Sequence, residues 1–248
     1  MSELLIRCSS LGRIMSDPMS LADEGLPAHV AAIVAKKKRT EEEKAALSQY
    51  KSGLLSEGAK TYVRELAQQA IFSVDFEFSS KEIEKGREVE GESIALLNRV
   101  RGLSLAKNTE RRDNGLITGE CDLYDPDARK GYDLKSSWSA KTFPGWVADC
   151  EDRLYEWQCR GYMALWDAHE WSVAYALIDT PERLIGYEPL QMHLVSHIPE
   201  HMRLTEWTIK RDPEKEALIR IKVKAAQEYY RQVLDEFDQH HQAPELAA

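Results

Sequence analysis

The chain has 248 residues, 43% of them hydrophobic and 30% charged, with a net charge of −9 from 33 basic and 42 acidic side chains. Such a chain can bury a core without disulfides, and its balance disfavours a disordered, collagen-like or membrane-spanning protein. The acidic total lacks the basic footprint of a typical nucleic-acid binder, although a concave basic site or a bound cation is compatible with it.

No signal-peptide pattern opens the chain at Met1-Ser2-Glu3, so a cytoplasmic location without a membrane partner is the expectation. Cys8, Cys121, Cys150 and Cys159 sit at no zinc-like spacing and form no CxxC pair; buried free thiols are expected.

Residues 1–20 carry Leu4-Leu5-Ile6 ahead of Arg7, then Ser9, Ser10 and Gly12, and read as a short ordered segment that stops at Asp17-Pro18. From Pro27 to Ala70 the pattern is helical. Thr40 with Glu43 makes a capping box, and Leu54, Leu55, Ala59, Val63, Leu66, Ala67 and Ala70 recur at helical spacing. The block Lys36-Lys37-Lys38-Arg39 suits either a DNA-backbone contact or a charged helix end. Ser79 or Ser80 caps a helix predicted to run to about Arg99, with Ile83, Val89, Ile94, Leu97 and Val100 apolar. Strands are predicted over 103–109, 116–124 and 130–136, the last two joined by the turn chemistry of Tyr124-Asp125-Pro126-Asp127. A helix over 149–167, a strand over 171–178 and a long helix from Asp212 to about Asp238 complete the series. The order α-β-β-β-α-β describes an α/β fold, a small mixed sheet flanked by helices. It is expected as one domain, with a helical elaboration over 1–78, the core over 79–180 and an extension over 181–248.

Asp122 falls on the second predicted strand, and Asp133 and Lys135, two apart on the third, share a face. The hairpin between them can set Asp122 beside Asp133. Glu90 lies on the preceding helix, with Glu88 and Glu92 competing for its place. Converging carboxylates repel unless a cation sits among them, and hard oxygen ligands suit Mg2+, with Mn2+ as its substitute. Such an ion polarises a phosphoryl oxygen and acidifies a bound water. A nearby lysine can orient or deprotonate that water and share the developing charge. Together these groups could hydrolyse a phosphodiester.

Gly119-Glu120-Cys121-Asp122-Leu123, then Asp133-Leu134-Lys135, then Tyr155-Glu156-Trp157-Gln158-Cys159-Arg160-Gly161-Tyr162-Met163 resemble the PD-(D/E)xK nuclease superfamily. Within it they look most like viral recombination exonucleases of the bacteriophage lambda type. The resemblance covers about residues 80–180, with a weaker echo at 5–15. It implies a restriction-endonuclease-like core and a Mg2+-dependent double-strand DNA exonuclease in phage-type recombination or end processing. By the same resemblance Glu90, Asp122 and Asp133 hold metal with the Leu134 carbonyl, and Lys135 and Gln158 position the attacking water. Ser9 and Lys141, with Arg7 and Arg13 nearby, correspond to a 5′-phosphate pocket. Duplex DNA ends, a homo-oligomeric ring and a single-strand annealing protein are the implied partners.

Cys121 stands where the family has proline, and Asp133 where lambda-type enzymes have glutamate, the latter within the superfamily's own allowance. Glu120 puts an extra carboxylate near the phosphate pocket. An endonuclease of the same fold and a DNA-binding accessory protein with a vestigial site are the competing readings. Gln158 can equally cap or line its helix, and Trp138, Phe143, Trp146, Trp157 and Trp166 suit core packing as well as base stacking. His197-Ile198-Pro199-Glu200-His201 spells H-x-x-E-H, but Pro199 denies it the unbroken helix that a zinc protease needs.

Overall fold

The computed structural model describes residues 3–21, 25–76 and 79–241. Three helices come first: α1 (Ala28–Val34), α2 (Glu41–Ser52) and α3 (Glu57–Phe72). The Thr40–Glu43 capping box opens α2 as predicted, and the Ser56 side chain accepts from the Ala59 N–H at the start of α3. Ser80 caps α4 (Lys81–Glu88), but the one helix predicted to Arg99 is two, because α5 (Glu90–Arg101) begins after a break at Val89. Separate anchors seat the two segments. On α4 the fully buried Lys85 ammonium donates to the carbonyls of Ser137 (2.6 Å), Trp138 (3.0 Å) and Ile178 (2.9 Å). Val89 packs instead with Leu96, Ala176 and Ile178.

The strand predicted over 103–109 does not form. The Asn98 side-chain amide satisfies both backbone groups of Leu105, at 2.9 and 3.1 Å, so this stretch needs no ladder neighbour. The strand predicted over 116–124 is divided between two sheets. β1 (Ile6–Arg7), β2 (Arg111–Asp113) and β3 (Ile117–Glu120) form the first, in the order β1-β3-β2. β4 (Leu123–Asp125), β5 (Lys130–Ser136), β6 (Glu170–Ala176) and β7 (Leu204–Lys210) form the second in chain order, with β5 and β6 parallel and the other pairs antiparallel. The sequence places β5 at its observed bounds and leaves β1, β2 and β7 unassigned.

Helix α6 (Arg153–Trp166), capped by Asp152, makes the crossover that a parallel β5–β6 pair requires. The short α7 (Glu182–Ile185) and the long α8 (Pro213–His240), capped by Asp212, follow. The main core gathers side chains of α3, α6, α8, β3, β6 and β7 around a 3-10 segment at Cys8–Arg13. Fully buried Trp171 lies over Gly131, where a Cβ would come within 2.2 Å of the indole. The Cys8–Arg13 segment presses as closely on α6: a Cβ on Gly161 would stand 2.6 Å from Leu11 and 2.9 Å from Cys8 Sγ. All four cysteines are free and buried. Among the described residues no helix is long and apolar enough to cross a membrane. The H-x-x-E-H stretch has no regular α-helix, and its Glu200 pairs with Arg99 at 2.8 Å.

Candidate active site

The site grows out of the point where β4 leaves β5. Their ladder ends at Leu123 opposite Tyr132. One step on, the Leu134 N–H donates to the Asp122 carboxylate (2.6 Å) in place of a strand carbonyl. Asn108 takes the carbonyls on the other side, Cys121 through its side chain (3.1 Å) and Asp122 through its backbone N–H (2.8 Å). The strands therefore fork, and the Asp122 carboxylate enters the gap.

Successive residues of β5 face opposite sides of the sheet. Asp133 and Lys135 turn toward α6. Asp133 is 2% exposed, and its Oδ1 accepts from Gln158 Nε2 at 2.8 Å; the same amide lies 3.3 Å from the Tyr162 hydroxyl. Asp133 Oδ2 is ion-paired with Lys135 Nζ at 2.7 Å. Lys135 Nζ also lies 4.6 Å from the centre of the Tyr155 ring. Burial alone would lower the lysine, but the Asp133 carboxylate, with Tyr155 and Asp122, holds its ammonium above the ordinary range. A lysine kept charged in this way suits orienting a water rather than taking its proton.

The α5 side of the fork is open. A cleft of about 470 Å³ is lined by Arg87, Glu90, Lys107, Asp122 and Leu134, among others. A Ser93–Ser136 hydrogen bond of 2.9 Å ties α5 to β5 beside it. Glu90, in the first turn of α5, pairs with Lys107, whereas Glu88 turns away to Arg183 and Glu92 is exposed. That geometry separates the three competing glutamates. Asp122 belongs to both sides. Burial pushes its carboxyl up to about 7, with the Asp133 charge adding to the rise against the Leu134 N–H and Lys135.

Glu90, Asp122 and Leu134 thus line the open cleft, and Asp133 lies across the fork on the α6 side. Among the described residues, however, no three carboxylate, histidine or cysteine side chains are gathered as a metal-holding group. Lys107 engages Glu90 and Lys135 engages Asp133. Gln158 reaches the site by orienting Asp133.

None of the four residues expected in a phosphate pocket lines this cleft. Arg7 and Ser9 are exposed at β1 and the segment after it, and Lys141 is exposed beyond β5. Arg13 pairs with Glu65 at 2.8 Å and stacks over the Tyr62 ring at 4.0 Å. Of the aromatics, Trp157 and Trp166 are core residues, while Trp146 is 75% exposed. Sequence reasoning misses Arg87, Lys107 and Tyr155. Tyr155 stands three residues before Gln158 and Arg87 three before Glu90, a helical spacing that could have found both. Lys107 sits in irregular chain, where no spacing rule points to it.

No family model and no curated protein matches the chain. Among solved structures, the alkaline exonuclease LHK-Exo from Laribacter hongkongensis is 13% identical with a TM-score of 0.57, over 95% of this chain and 92% of that one. Its complex with dAMP gives 14% and 0.56 over the same shares. These two show a shared fold. The phage-related exonuclease from Haemophilus somnus 129PT is 35% identical with a TM-score of 0.79, over 95% of this chain and 97% of that one. At that identity along nearly the whole of both chains, this chain belongs to the phage-related exonucleases, in keeping with its lambda-type motifs.

Proposed function

We propose that this protein is a divalent-cation-dependent exonuclease of double-stranded DNA. Hydrolysis takes place at the β4–β5 fork, in the setting of phage-type recombination or end processing. One observation carries the reading: the buried Asp133 carboxylate, held by the Lys135 ammonium at 2.7 Å, stands beside an Asp122 carboxyl that burial and the Asp133 charge keep from ionising easily. Two carboxylates crowded together in this way fit a hard cation. Asp122, Asp133, Glu90 and the Leu134 carbonyl would hold Mg2+, or Mn2+ in its place. When bound, the ion supplies Lewis acidity toward the phosphoryl oxygen and acidifies a water.

The chain's own residues do the positioning. The Gln158 amide fixes one oxygen of Asp133, and the Lys135 ammonium holds the other at 2.7 Å. Lys135, charged and braced by Tyr155, donates to the attacking water and shares the negative charge that builds on the phosphoryl group. Kinship with the phage-related exonuclease supports attack at DNA ends. A homo-oligomeric ring and a single-strand annealing partner go with the same reading.

The test is digestion of linear, nicked and closed circular duplexes by the full chain, with Mg2+ and with chelator. Loss of linear DNA alone, and only with Mg2+, is the expected result. Cutting of closed circles would make the protein an endonuclease. Binding without cutting would make it an accessory protein.

A further inference from the structure

The α5-side cleft carries two cations that the chemistry above leaves unused. Arg87, exposed in the last turn of α4, makes no ion pair or side-chain hydrogen bond among the described residues. Lys107 reaches across from the irregular stretch after α5 to Glu90. Both side chains line the cleft that Asp122 and Leu134 enter from the fork. The Lys107 and Glu90 side chains are 49% and 30% exposed, and an ion pair so open separates at little cost. A divalent ion taken up by Glu90 would meet the Lys107 ammonium as a like charge. Displaced, that ammonium would remain beside Asp122, where a phosphodiester must lie to be hydrolysed.

Resting on the function proposed above, we propose that Lys107 is an exchangeable counter-ion. It neutralises Glu90 until the divalent ion enters, then turns to a phosphodiester oxygen of the DNA strand that Arg87 also grips. The exchange keeps the cleft's charge compensated in both states. By linkage it makes ion binding and DNA binding favour one another, because each relieves the lysine's competition with the other.

Two measurements on the full chain test this: calorimetric titration with Mn2+, and anisotropy of a 5′-phosphorylated linear duplex with Ca2+ replacing Mg2+. Lys107→Met is expected to bind Mn2+ more tightly, by up to about fivefold, since an exposed competing pair is gone. The same variant binds the duplex more weakly, with a log–log salt slope shallower by about 0.9, the loss of one phosphate contact. Arg87→Met shows the DNA effect alone, and Lys107→Arg behaves as wild type in both assays. Unchanged or weaker Mn2+ binding by Lys107→Met overturns the proposal, because a lysine that merely steadies Glu90 would loosen the ion site when removed. An unchanged salt slope overturns it as well. Glu90→Gln keeps the two levels apart: if it takes up Mn2+ as wild type does, the ion is not held at Glu90 and the functional reading itself fails.

Discussion

On the α6 side of the fork, the Asp133 and Lys135 side chains are 3% and 26% exposed, and both stand on a strand whose partner helix supplies Gln158 and Tyr155. On the α5 side, Glu90 and Lys107 meet in the open and Arg87 has no carboxylate among the described residues. The two sides hold similar charges, so burial makes the difference. Breaking a buried pair by removing one partner costs about 3–5 kcal/mol, whereas an exposed pair contributes about 1 kcal/mol or less. Under the proposed function the comparison implies a division of labour: a rigid half that would keep its geometry for chemistry, and a soft half that would rearrange when charge arrives.

The largest expected effect breaks the rigid half. Lys135→Ala should lower the Mg2+-dependent rate on linear duplex by roughly 10²- to 10³-fold, the range for losing one preorganised stabiliser of transition-state charge. Undiminished digestion would remove the fork from the mechanism. Asp122→Asn strikes where the halves join, and should abolish hydrolysis while stabilising the ion-free protein. The folded carboxyl titrates at about 7 against an ordinary 3.8. Its contribution to stability is therefore fully present below pH ~4 and lost as pH rises through about 7. Denaturant unfolding in chelator should show the wild type losing stability between about pH 4 and pH 7. Asp122→Asn, lacking that titration, should exceed it at pH 8 by roughly 1–4 kcal/mol. Equal pH profiles would contradict the buried, charge-crowded carboxyl.

Gln158→Ala sharpens the comparison, since it frees one oxygen of Asp133 without removing a charge. A loss of about tenfold in kcat with KM little changed is expected, the equivalent of about 1.4 kcal/mol. A change confined to KM would place Gln158 on the substrate instead of on Asp133. Smallest of all, Arg13→Ala severs an exposed pair with Glu65, and should cost no more than about 1 kcal/mol in stability. It should leave the hydrolysis rate unchanged; a large loss would bring the segment after β1 into the site.

The rigid half was the legible one. β5 is a seven-residue strand bounded by turn chemistry, and Asp133 and Lys135 share a face by strict alternation. The start predicted at Asp212 is likewise where α8 is capped, whereas α6, predicted from 149, begins at Arg153 behind the Asp152 cap. What escaped depended on side chains remote in sequence. Leu103 and Leu105 alternate like a strand, yet the Asn98 amide takes the Leu105 backbone. The division of 116–124 rests on Asn108 and on the Asp122 carboxylate replacing a ladder carbonyl. β7 escaped because its buried and exposed residues do not alternate cleanly. Lys107 lies in the stretch mistaken for a strand, so its approach to Glu90 had no periodic signal.

The most direct test of the fork as a metal-dependent hydrolytic centre is anomalous scattering from a crystal of the full chain soaked in Mn2+. A peak between the Asp122 and Asp133 carboxylates, with Glu90 turned from Lys107 toward it, is the expected result. A fork without a peak, or an ion bound only elsewhere on the molecule, would contradict the account.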